Sequence, residues 1–532
     1  MDVYRISEDG KHQLVLSEQP SYWGKFLRYD YHSFNFSDVK EEGMYFIQMK
    51  DTRTNPFKIS TDVYDRNVWQ PVIDYFLPIQ MCHMRVNENY KVWHGLCHQD
   101  DALMAPVSLN HFDGYYQGAS TLTQYKPMDK VPGLNVGGWH DAGDDDLRVE
   151  SQAGEIYILA LAYEEFKENH DGTSIDQSKK LVEINEPDGK NDFLQQIEHG
   201  ALTVISGYQN LGRLYRGIIC PELDQYVMMG DVANQTDNTF YTSQPGFKSI
   251  PDSKQPDDRW VFTEDNPSRE YSVAAYLAAA SRSLKGFNDT LSAACLNTSE
   301  ELWAKIREPR NRGEWISKIH ASNELFVTTG NEKYKSFLLN FSDTTAKYIA
   351  QTGWFTVKTL LLMNNRKYSE KISKALTGLA SRIKDQGNET PYGVPYRPQI
   401  WGAGWGIQDF GVEQYFLYKS FPELFPKEYM LNALNFVLGC HPGENTASFA
   451  SGIGSKSVTA AYGYNRADYS YIPGGVVSGT ALIRPDLPEL KDFPFLWQQT
   501  EYVLGGGSSN FMFLVLAARN VMSEYGVQNQ IK

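Results

Sequence analysis

The spacing of apolar residues changes near residue 60. Before it, apolar side chains gather in two short runs, Arg5 to Leu16 and Gly43 to Lys50, which are rich in Ile, Val, Tyr and Phe and are flanked or interrupted by turn-forming residues. Such runs predict β-strands. Only three or four strands can be drawn before Ser60, whereas a complete β-sandwich has about seven. We therefore expect a partial β domain over residues 1–60.

After residue 61 the pattern is helical. From Gln152 to Phe166 apolar residues recur at positions i, i+3, i+4 and i+7, and Asn266-Pro267 opens an alanine-rich run with a capping side chain and a first-turn proline. Further helices are predicted at residues 192–211, 299–307, 344–363, 412–420, 429–438 and 511–524. No convincing strand run alternates with them, so we predict a mainly α domain, a helical toroid, over residues 61–532.

Composition excludes several classes of protein. A net charge of -15 argues against a nucleic-acid partner. No stretch reaches the roughly 18 uncharged apolar residues of a membrane-spanning helix, and no secretory signal opens the sequence. Five cysteines are too few for a disulfide framework in 532 residues. Aromatic residues make up 13% of the chain, enough to stack on sugar rings or simply to fill large cores.

The strongest chemical signal is a turn over residues 137–144 with the sequence Gly-Gly-Trp-His-Asp-Ala-Gly-Asp. Its carboxylates, Asp141 and Asp144, can hold a water molecule between them. Inverting hydrolysis of a glycoside needs such a base and, about 6.5 to 9.5 Å away, a carboxylic acid that protonates the leaving oxygen. An Asp-rich turn is also typical of solvated loops and calcium sites, so spacing alone leaves these alternatives open.

These eight residues resemble the first catalytic motif of glycoside hydrolase family 9 at every position. The resemblance extends over nearly the whole chain, through Asp257-Asp258-Arg259-Trp260 with the following 266–270 segment and through Leu438-Gly439. It implies an (α/α)6 barrel, and it implies that the β domain is the last part of an immunoglobulin-like domain that precedes many such barrels.

The same resemblance implies the catalytic roles. Asp144 falls on the water-activating base and Asp141 on its helper, while Glu501 falls on the proton donor, preceded by Asp492 and Trp497 as in the family's acid motif. The segment after the acid departs from the pattern. Val503 replaces a small residue, and Asn510 arrives three positions late after a run of glycines.

A second departure concerns substrate contacts. The family's His-x-Arg motif is replaced here by Tyr464-Asn465-Arg466, followed by Asp468, which puts ordinary cellulase specificity in question. The predicted substrate-binding residues are Trp139, Trp401, Trp405, Tyr462, Tyr464, Arg466, Asp468 and Trp497. Lone aromatic residues are core residues about as often as they are sugar contacts.

Two thiols and two imidazoles predict a metal site beside the turn. Cys82, Cys97, His98 and His140 match the donor set of a tetrahedral zinc ion. Family members with an immunoglobulin-like domain carry a structural zinc on matching residues, so the resemblance implies one here. His83 and His94 are competing ligands. Calcium is a further alternative around residues 144–146, although no complete oxygen cage can be assigned.

We thus expect a monomeric glycoside hydrolase that inverts β-1,4 bonds in cellulose, cello-oligosaccharides, xyloglucan or mixed-linkage β-glucan. Because polysaccharides lie outside the cytoplasm, we expect a secreted or periplasmic protein whose signal precedes this chain. Two alternatives remain. One is an exo-acting enzyme on another β-glycan or on amino-sugar oligomers, favoured by Tyr464. The other is a non-catalytic carbohydrate-binding protein, favoured by the altered 464–466 and 503–510 segments.

Overall fold

The computed structural model describes most of the chain. The described residues are 1–27, 29–105, 117, 120–220, 236, 238, 258–397, 402–442, 446–458, 471–477, 479, 502–504 and 507–530. They form an amino-terminal β domain followed by a helical barrel.

Among its described residues, the β domain has seven strands, more than the three or four drawn from the sequence. They are β1 (Asp2–Ile6), β2 (His12–Ser17), β3 (Ser21–Phe26), β4 (Tyr29–Ser33), β5 (Gly43–Met49), β6 (Thr52–Arg53) and β7 (Phe57–Ile59). The first sheet has the order β2-β1-β5-β6 with β7 beside β5, and β3 pairs with β4. The run predicted from Arg5 to Leu16 is an antiparallel hairpin, because Gly10, at φ +78°, allows the chain to reverse.

Aromatic side chains join the β domain to the barrel. The hydroxyl groups of Tyr31 and Tyr392 are 2.6 Å apart. Phe26 packs edge-on against the rings of Tyr392 and Tyr396. The hairpin of β3 and β4 is therefore the part of the β domain that contacts the segment following the longest outer helix.

The barrel is built from consecutive helices. They are α1 (a π-helical turn Val72–Phe76 continued by Leu77–Gln80), α2 (Val149–Phe166), α3 (Asp192–Leu211), α4 (Pro267–Leu284), α5 (Asp289–Lys305), α6 (Arg312–Thr329), α7 (Glu332–Asn340), α8 (Ser342–Lys347), α9 (Ile349–Thr356), α10 (Leu360–Met363), α11 (Arg366–Gly387), α12 (Gly404–Ser420), α13 (Glu428–Val437) and α14 (Ser508–Gln530).

Six of these helices close into a ring. Contacts run from α2 to α4, α6, α9, α12 and α14 and back to α2, while helices such as α3, α5, α11 and α13 pack outside. This double layer is the (α/α)6 barrel that was predicted. Its core is rich in alanine where α4 meets its neighbours, which lets the helices approach closely. In the described part of the chain, no helix is long and apolar enough to cross a membrane.

Two small sheets lie between the helices, which corrects the expectation that no strands occur there. One contains β8 (Arg85–Glu88), β9 (Lys91–His94), β12 (Thr173–Asp176) and β13 (Leu181–Ile184). The other contains β10 (Leu103–Met104), β11 (Leu147–Arg148), β14 (Gly217–Ile219) and β15 (Trp260–Phe262). Strands of two to four residues are too short to show alternation in sequence. In the second sheet, β11 leads directly into α2, so this sheet holds the chain just after the predicted catalytic turn.

Candidate active site

The two glycines of the 137–144 turn are required by the backbone. Gly137 and Gly138 adopt φ values of +65° and +83°. A Cβ on Gly137 would lie 2.3 Å from the carbonyl oxygen of His199. The backbone N–H of Gly138 donates to that carbonyl at 3.1 Å, and the His199 side chain bonds back to the Gly138 carbonyl at 2.7 Å. The turn is therefore fixed closely against α3.

A side-chain amide fixes the turn to α2. Gln152 accepts a hydrogen bond from the backbone N–H of Trp139 and donates one to its carbonyl, both at 2.8 Å. The Trp139 side chain is fully buried, and its indole N–H donates to Gln196 at 2.7 Å. The predicted sugar contact of Trp139 is therefore wrong, because a ring without exposed surface cannot stack on a substrate. Trp139 instead anchors the turn.

The carboxylates of Asp141 and Asp144 both face the guanidinium group of Arg148. Arg148, four residues beyond Asp144, lies 3.2 Å from the Asp144 carboxylate and 3.6 Å from that of Asp141. Its Nε also donates to Asp146 at 2.8 Å. The Ser151 hydroxyl donates to Asp141 Oδ2 at 3.4 Å, while Oδ1 has no hydrogen-bond partner among the described residues. The geometry leaves an acceptor atom of Asp141 available to a water molecule.

Burial and like charge act together on this pair. Asp141 is 8% exposed and Asp144 is 5% exposed. Burial, followed by the negative charge of Asp144, raises the pKa of Asp141 well above its usual range, and Arg148 opposes the rise. Closely spaced carboxylates titrate as a coupled group. Asp141 therefore retains a proton more readily than an isolated aspartate.

A cavity of about 430 Å³ opens beside the turn. Its wall includes Glu150, Ser151, Gly154, Tyr157, Ile158, Tyr276, Trp354, Trp405, Asp409, Val412, Glu413 and Asn510. These residues come from α2, α4, α9, α12 and α14, so the cavity lies within the ring of inner helices. Ser151 connects it directly to Asp141. Trp405 lies where a sugar contact was predicted, and that role stays a prediction.

The four predicted zinc ligands form one buried cluster. Their ligand atoms all lie within 4.8 Å of one another. Cys82 Sγ is 3.5 Å from His98 Nδ1, and Cys97 Sγ is 3.7 Å from His140 Nε2. Ligand atoms about 3.3 to 3.8 Å apart are what a tetrahedral zinc ion with bonds of about 2.0 to 2.3 Å requires. The donor set and its spacing therefore fit zinc.

Donors around the sulfur atoms support this fit. The backbone N–H of His83 lies 3.3 Å from Cys97 Sγ. The guanidinium of Arg259 lies 3.3 Å from Cys82 Sγ. Arg259 is almost fully buried, pairs with Asp101 at 2.5 Å and also donates to the Asp145 carbonyl. Such donors stabilise thiolates, which are the form that binds metal. Arg259 thereby links the cluster to the catalytic turn.

The two competing histidines have other partners. His83 Nδ1 lies 2.9 Å from the carbonyl oxygen of Gly137, and His94 Nε2 lies 3.0 Å from that of Ile79. Each ring is therefore held by the backbone. This leaves His98 and His140 as the imidazoles that face the two thiols.

Comparison with known proteins identifies the family. The family model described as Glycosyl hydrolase family 9 matches residues 74–480. The chain belongs to this family. Endoglucanase D of Acetivibrio thermocellus is 22% identical over 453 residues, which are 79% of this chain but 64% of that protein. The chain therefore spans less than two thirds of the length of this curated relative.

Solved structures share the family 9 fold. A metagenome-derived glycoside hydrolase family 9 endoglucanase superposes with a TM-score of 0.69 at 18% identity, covering 98% of this chain and 93% of that one. A Zn-binding triple mutant of the family 9 endoglucanase J30 gives a TM-score of 0.68 at 18% identity, covering 97% and 96%. At such identities the likeness establishes the architecture alone.

Several predicted site residues of this family 9 protein lie outside the described residues: Trp401, Tyr462, Tyr464, Arg466, Asp468, Trp497 and Glu501. The described residues just after Glu501 do contact the catalytic turn. The backbone N–H of Leu504 donates to the carbonyl of Asp141 at 2.9 Å. The segment that follows the predicted acid is thus hydrogen-bonded to the predicted base region.

Sequence reasoning missed four charged residues of this family 9 site. Arg148 had a usable signal, since it stands four residues after Asp144 and four residues before the helix predicted from Gln152. Arg259 stood in a recognised segment without an assigned role. Asp409 and Glu413 are four residues apart on α12, so they share a helix face. Nothing in sequence showed that this face lines the cavity.

Proposed function

We propose that this family 9 protein hydrolyses β-1,4-glycosidic bonds in glucans with inversion of the anomeric configuration. The observation that carries the proposal is the buried pair Asp141 and Asp144, held by Arg148 beside a cavity lined with aromatic side chains. A carbohydrate-binding protein without catalysis would not need two adjacent buried carboxylates at the cavity edge.

Asp144 acts as the base in this proposal, and Asp141 helps to hold the attacking water. Both must lose their protons to act, and Arg148 favours the ionised forms. The water hydrogen-bonds to Asp141 and gives a proton to Asp144 as its oxygen attacks the anomeric carbon. The Gln152 clamp keeps the backbone of the turn in position.

Glu501 acts as the acid and protonates the departing glycosidic oxygen. The hydrogen bond between Leu504 and Asp141 supports this role, because three residues of chain span at most about 11 Å. In an inverting enzyme the acid and base are about 6.5 to 9.5 Å apart, which leaves room for the water.

Zinc at Cys82, Cys97, His98 and His140 is part of the proposal. An ion with four protein ligands has no position for substrate, so its contribution is to stiffen the loops that it joins. His140 directly precedes Asp141, so the site would hold the turn next to its first carboxylate. Calcium near residues 144–146 stays a weaker alternative, because Arg148 already pairs with Asp144 and Asp146 there.

The proposed setting follows from the substrate. A polymeric glucan implies a secreted or periplasmic enzyme, and we propose a monomer. We also place the domain boundary at residues 60 and 61, between the end of β7 at Ile59 and the start of α1 at Val72.

Amino-sugar oligomers are a second candidate substrate, favoured by two residues of the cavity. Asp409 accepts a hydrogen bond from Asn510 at 2.8 Å, and neither Asp409 nor Glu413 has a basic partner among the described residues. Burial raises the pKa of Asp409 to about 6, and burial together with the charge of Asp409 raises that of Glu413 well above its usual range. A sugar ammonium group would be stabilised between them, whereas glucose offers only hydroxyl groups.

The proposal is tested by activity of the wild type, Glu501→Gln and Asp144→Asn on cello-oligosaccharides, xyloglucan, mixed-linkage β-glucan and glucosamine oligosaccharides. We expect wild-type turnover on a β-1,4 glucan and a loss of at least 1,000-fold in either variant, with unchanged thermal unfolding. Equal turnover by wild type and both variants would contradict the assigned roles.

The two substrate classes are separated by Asp409→Asn and Glu413→Gln. If glucan is the substrate, these variants change the rates of cleavage of neutral and of glucosamine oligosaccharides by the same factor. If amino sugars are the substrate, they reduce cleavage of glucosamine oligosaccharides by 10-fold or more and leave slow cleavage of neutral ones unchanged. Ser420→Ala, at the distant end of the same helix, serves as the control.

A further inference from the structure

Glu155 is a buried carboxyl group on α2 that the proposed hydrolysis does not use. The residue is 1% exposed, and no lysine, arginine or histidine pairs with it among the described residues. Its Oε2 atom has no hydrogen-bond partner in that part of the chain. Burial raises the pKa of Glu155 to about 8, although hydrogen bonding to Ser509 opposes the rise. The group is therefore uncharged at neutral pH and acts through hydrogen bonds.

The partner of Glu155 lies in the first turn of α14. Ser509, the second residue of that helix, donates its hydroxyl proton to Glu155 Oε1. The start of a helix is usually fixed by the side chain of the residue that precedes it. Here that residue is Gly507, whose carbonyl oxygen accepts the first helical bond from Phe511 at 3.0 Å but which has no side chain. Glu155 therefore fixes the start of α14 from a neighbouring helix.

The residues between the predicted acid, Glu501, and α14 are held at two points at least. The backbone N–H of Leu504 donates to the carbonyl oxygen of Asp141 at 2.9 Å. Five residues further along the chain, Ser509 bonds to Glu155. The sequence between these points contains three consecutive glycines, and glycine loses more conformational freedom on ordering than any other residue. The bond to Glu155 therefore limits the conformations of the segment that follows the acid.

The same turn of α2 also contacts the base region. Ser151 donates to the carboxylate of Asp141 at 3.4 Å, and Gln152 accepts from the backbone N–H of Trp139 at 2.8 Å. Ser151 and Glu155 are four residues apart, so they share one face of the helix, about 6 Å apart along its axis. One turn of α2 thus contacts both the turn that carries the predicted base and the helix that follows the predicted acid.

We propose that Glu155 is a positioning residue for the acid, Glu501, which it holds beside the catalytic turn through Ser509. The inference rests on the proposed hydrolysis with Glu501 as acid and Asp144 as base. An inverting enzyme needs these two groups about 6.5 to 9.5 Å apart. A displacement of about 1 Å can lower the rate about 100-fold. Glu155 acts on the acid through α14 and exchanges no proton with the substrate.

The test uses two substrates that differ in their need for an acid. Cellotetraose requires protonation of its leaving oxygen, whereas fluoride departs from β-cellobiosyl fluoride without protonation. Glu155→Leu removes the acceptor of the Ser509 hydroxyl group. We expect its kcat on cellotetraose to fall by about 10-fold or more, because the acid is displaced. Its kcat on the fluoride should stay within about 2-fold of the wild type, because the base region is unchanged.

Glu155→Gln is the matched variant, because an amide oxygen accepts from Ser509 as the uncharged carboxyl group does. It should recover most of the kcat that Glu155→Leu loses on cellotetraose. Ser509→Ala removes the donor instead of the acceptor and should show the same selective loss. This variant keeps the test valid even if Glu155→Leu fails to fold.

Amide hydrogen exchange over residues 502–511 gives a second readout that needs no substrate. We expect faster exchange there in Glu155→Leu than in Glu155→Gln, because the start of α14 is released. Equal exchange in the two variants would overturn the positioning role. So would a loss of kcat by the same factor on both substrates in Glu155→Leu, since a general loosening of the site would produce it.

Glu501→Gln, measured on the same two substrates, separates this inference from the proposed function. A selective loss on cellotetraose in Glu501→Gln, without such a loss in Glu155→Leu, would overturn the positioning role alone. Equal losses on both substrates in Glu501→Gln would overturn the assigned acid and, with it, the positioning role. A wild type that cleaves neither substrate would overturn glucan hydrolysis itself.

Discussion

Arg148 is the basic residue that faces the predicted catalytic carboxylates, Asp141 and Asp144. Its positive charge opposes the burial and the like charge that raise the pKa of Asp141. If Arg148 is replaced by Met, that pKa rises further, so the base region stays protonated to a higher pH. We expect the acid limb of kcat/KM to move to higher pH in Arg148→Met, as measured by rates across a pH series.

The matched control is Arg148→Lys, which keeps the charge but loses the planar contacts to several carboxylates. Its acid limb should stay closer to that of the wild type. An acid limb that does not move in Arg148→Met would show that the 141–144 pair does not set the pH dependence.

Single residues of the site could be predicted where a local motif carries them. Asp141, Asp144 and the four predicted zinc ligands could be named from sequence, because the turn motif and the donor types are specific. The structure brings the four predicted ligands together, and the roles of all six residues stay predictions. Trp139 was misassigned because the sequence of the motif does not show whether its tryptophan faces a sugar or the core. Asp409 and Glu413 could not be found, because their shared cavity depends on how α12 meets α2 and α9.

At the scale of elements, Gln152 joins the catalytic turn to α2. Replacement by Ala leaves the N–H and C=O of Trp139 buried without partners. We expect Gln152→Ala to lower the free energy of unfolding by about 1 to 3 kcal/mol and to lower kcat. Urea denaturation and steady-state rates measure the two effects.

Gln195→Ala is the matched control for Gln152→Ala. Gln195 is also a buried glutamine, but its side-chain amide donates to Asp188 at 2.9 Å and not to the turn. It should retain wild-type kcat. Equal loss of kcat in both variants would mean that the Gln152 clamp has no particular role in placing the carboxylates.

A regular apolar period and a capped start allowed some helices to be predicted, although α11, which Asn365 caps, was missed. Residues 192–211 were predicted at the bounds observed for α3, which Asn191 caps through its side chain. Residues 344–363 were predicted as one helix, yet the structure divides them among the end of α8, α9, a short 3-10 turn and α10. α6 was missed because its apolar residues face both layers and blur the helical period.

At the scale of the whole molecule, the Cys82 cluster connects loops that are far apart in sequence. Removal of zinc by a chelator should lower the melting temperature and slow hydrolysis, because the turn loses its support. Differential scanning calorimetry with and without added Zn²⁺ measures the effect. Cys97→Ser should melt like the chelated wild type and show no further response to chelator at this site.

Cys295→Ser is the control for cysteine replacement itself, since Cys295 is buried on α5 and is not part of the cluster. Its melting temperature should still fall on chelation. If the melting temperature of the wild type changes with neither chelator nor Zn²⁺, that result would contradict a structural zinc ion.

The (α/α)6 barrel was predicted from the family motif and not from the periodicity of the apolar residues. Helical spacing predicted a mainly α domain, but a closed ring of six inner helices is a long-range property that no local pattern encodes. The eight-residue turn carried that information because it occurs on this barrel. The small sheets beside the turn were not predicted, because their strands pair across distant parts of the sequence.

The most direct test of the account is the anomer first released from a β-1,4-linked oligosaccharide, followed by proton nuclear magnetic resonance before mutarotation. A base at Asp144 with a separate acid predicts that the α-anomer appears first and that Asp144→Asn abolishes its release. Initial release of the β-anomer would show a retaining mechanism and contradict the assignment of Asp144 as a water-activating base.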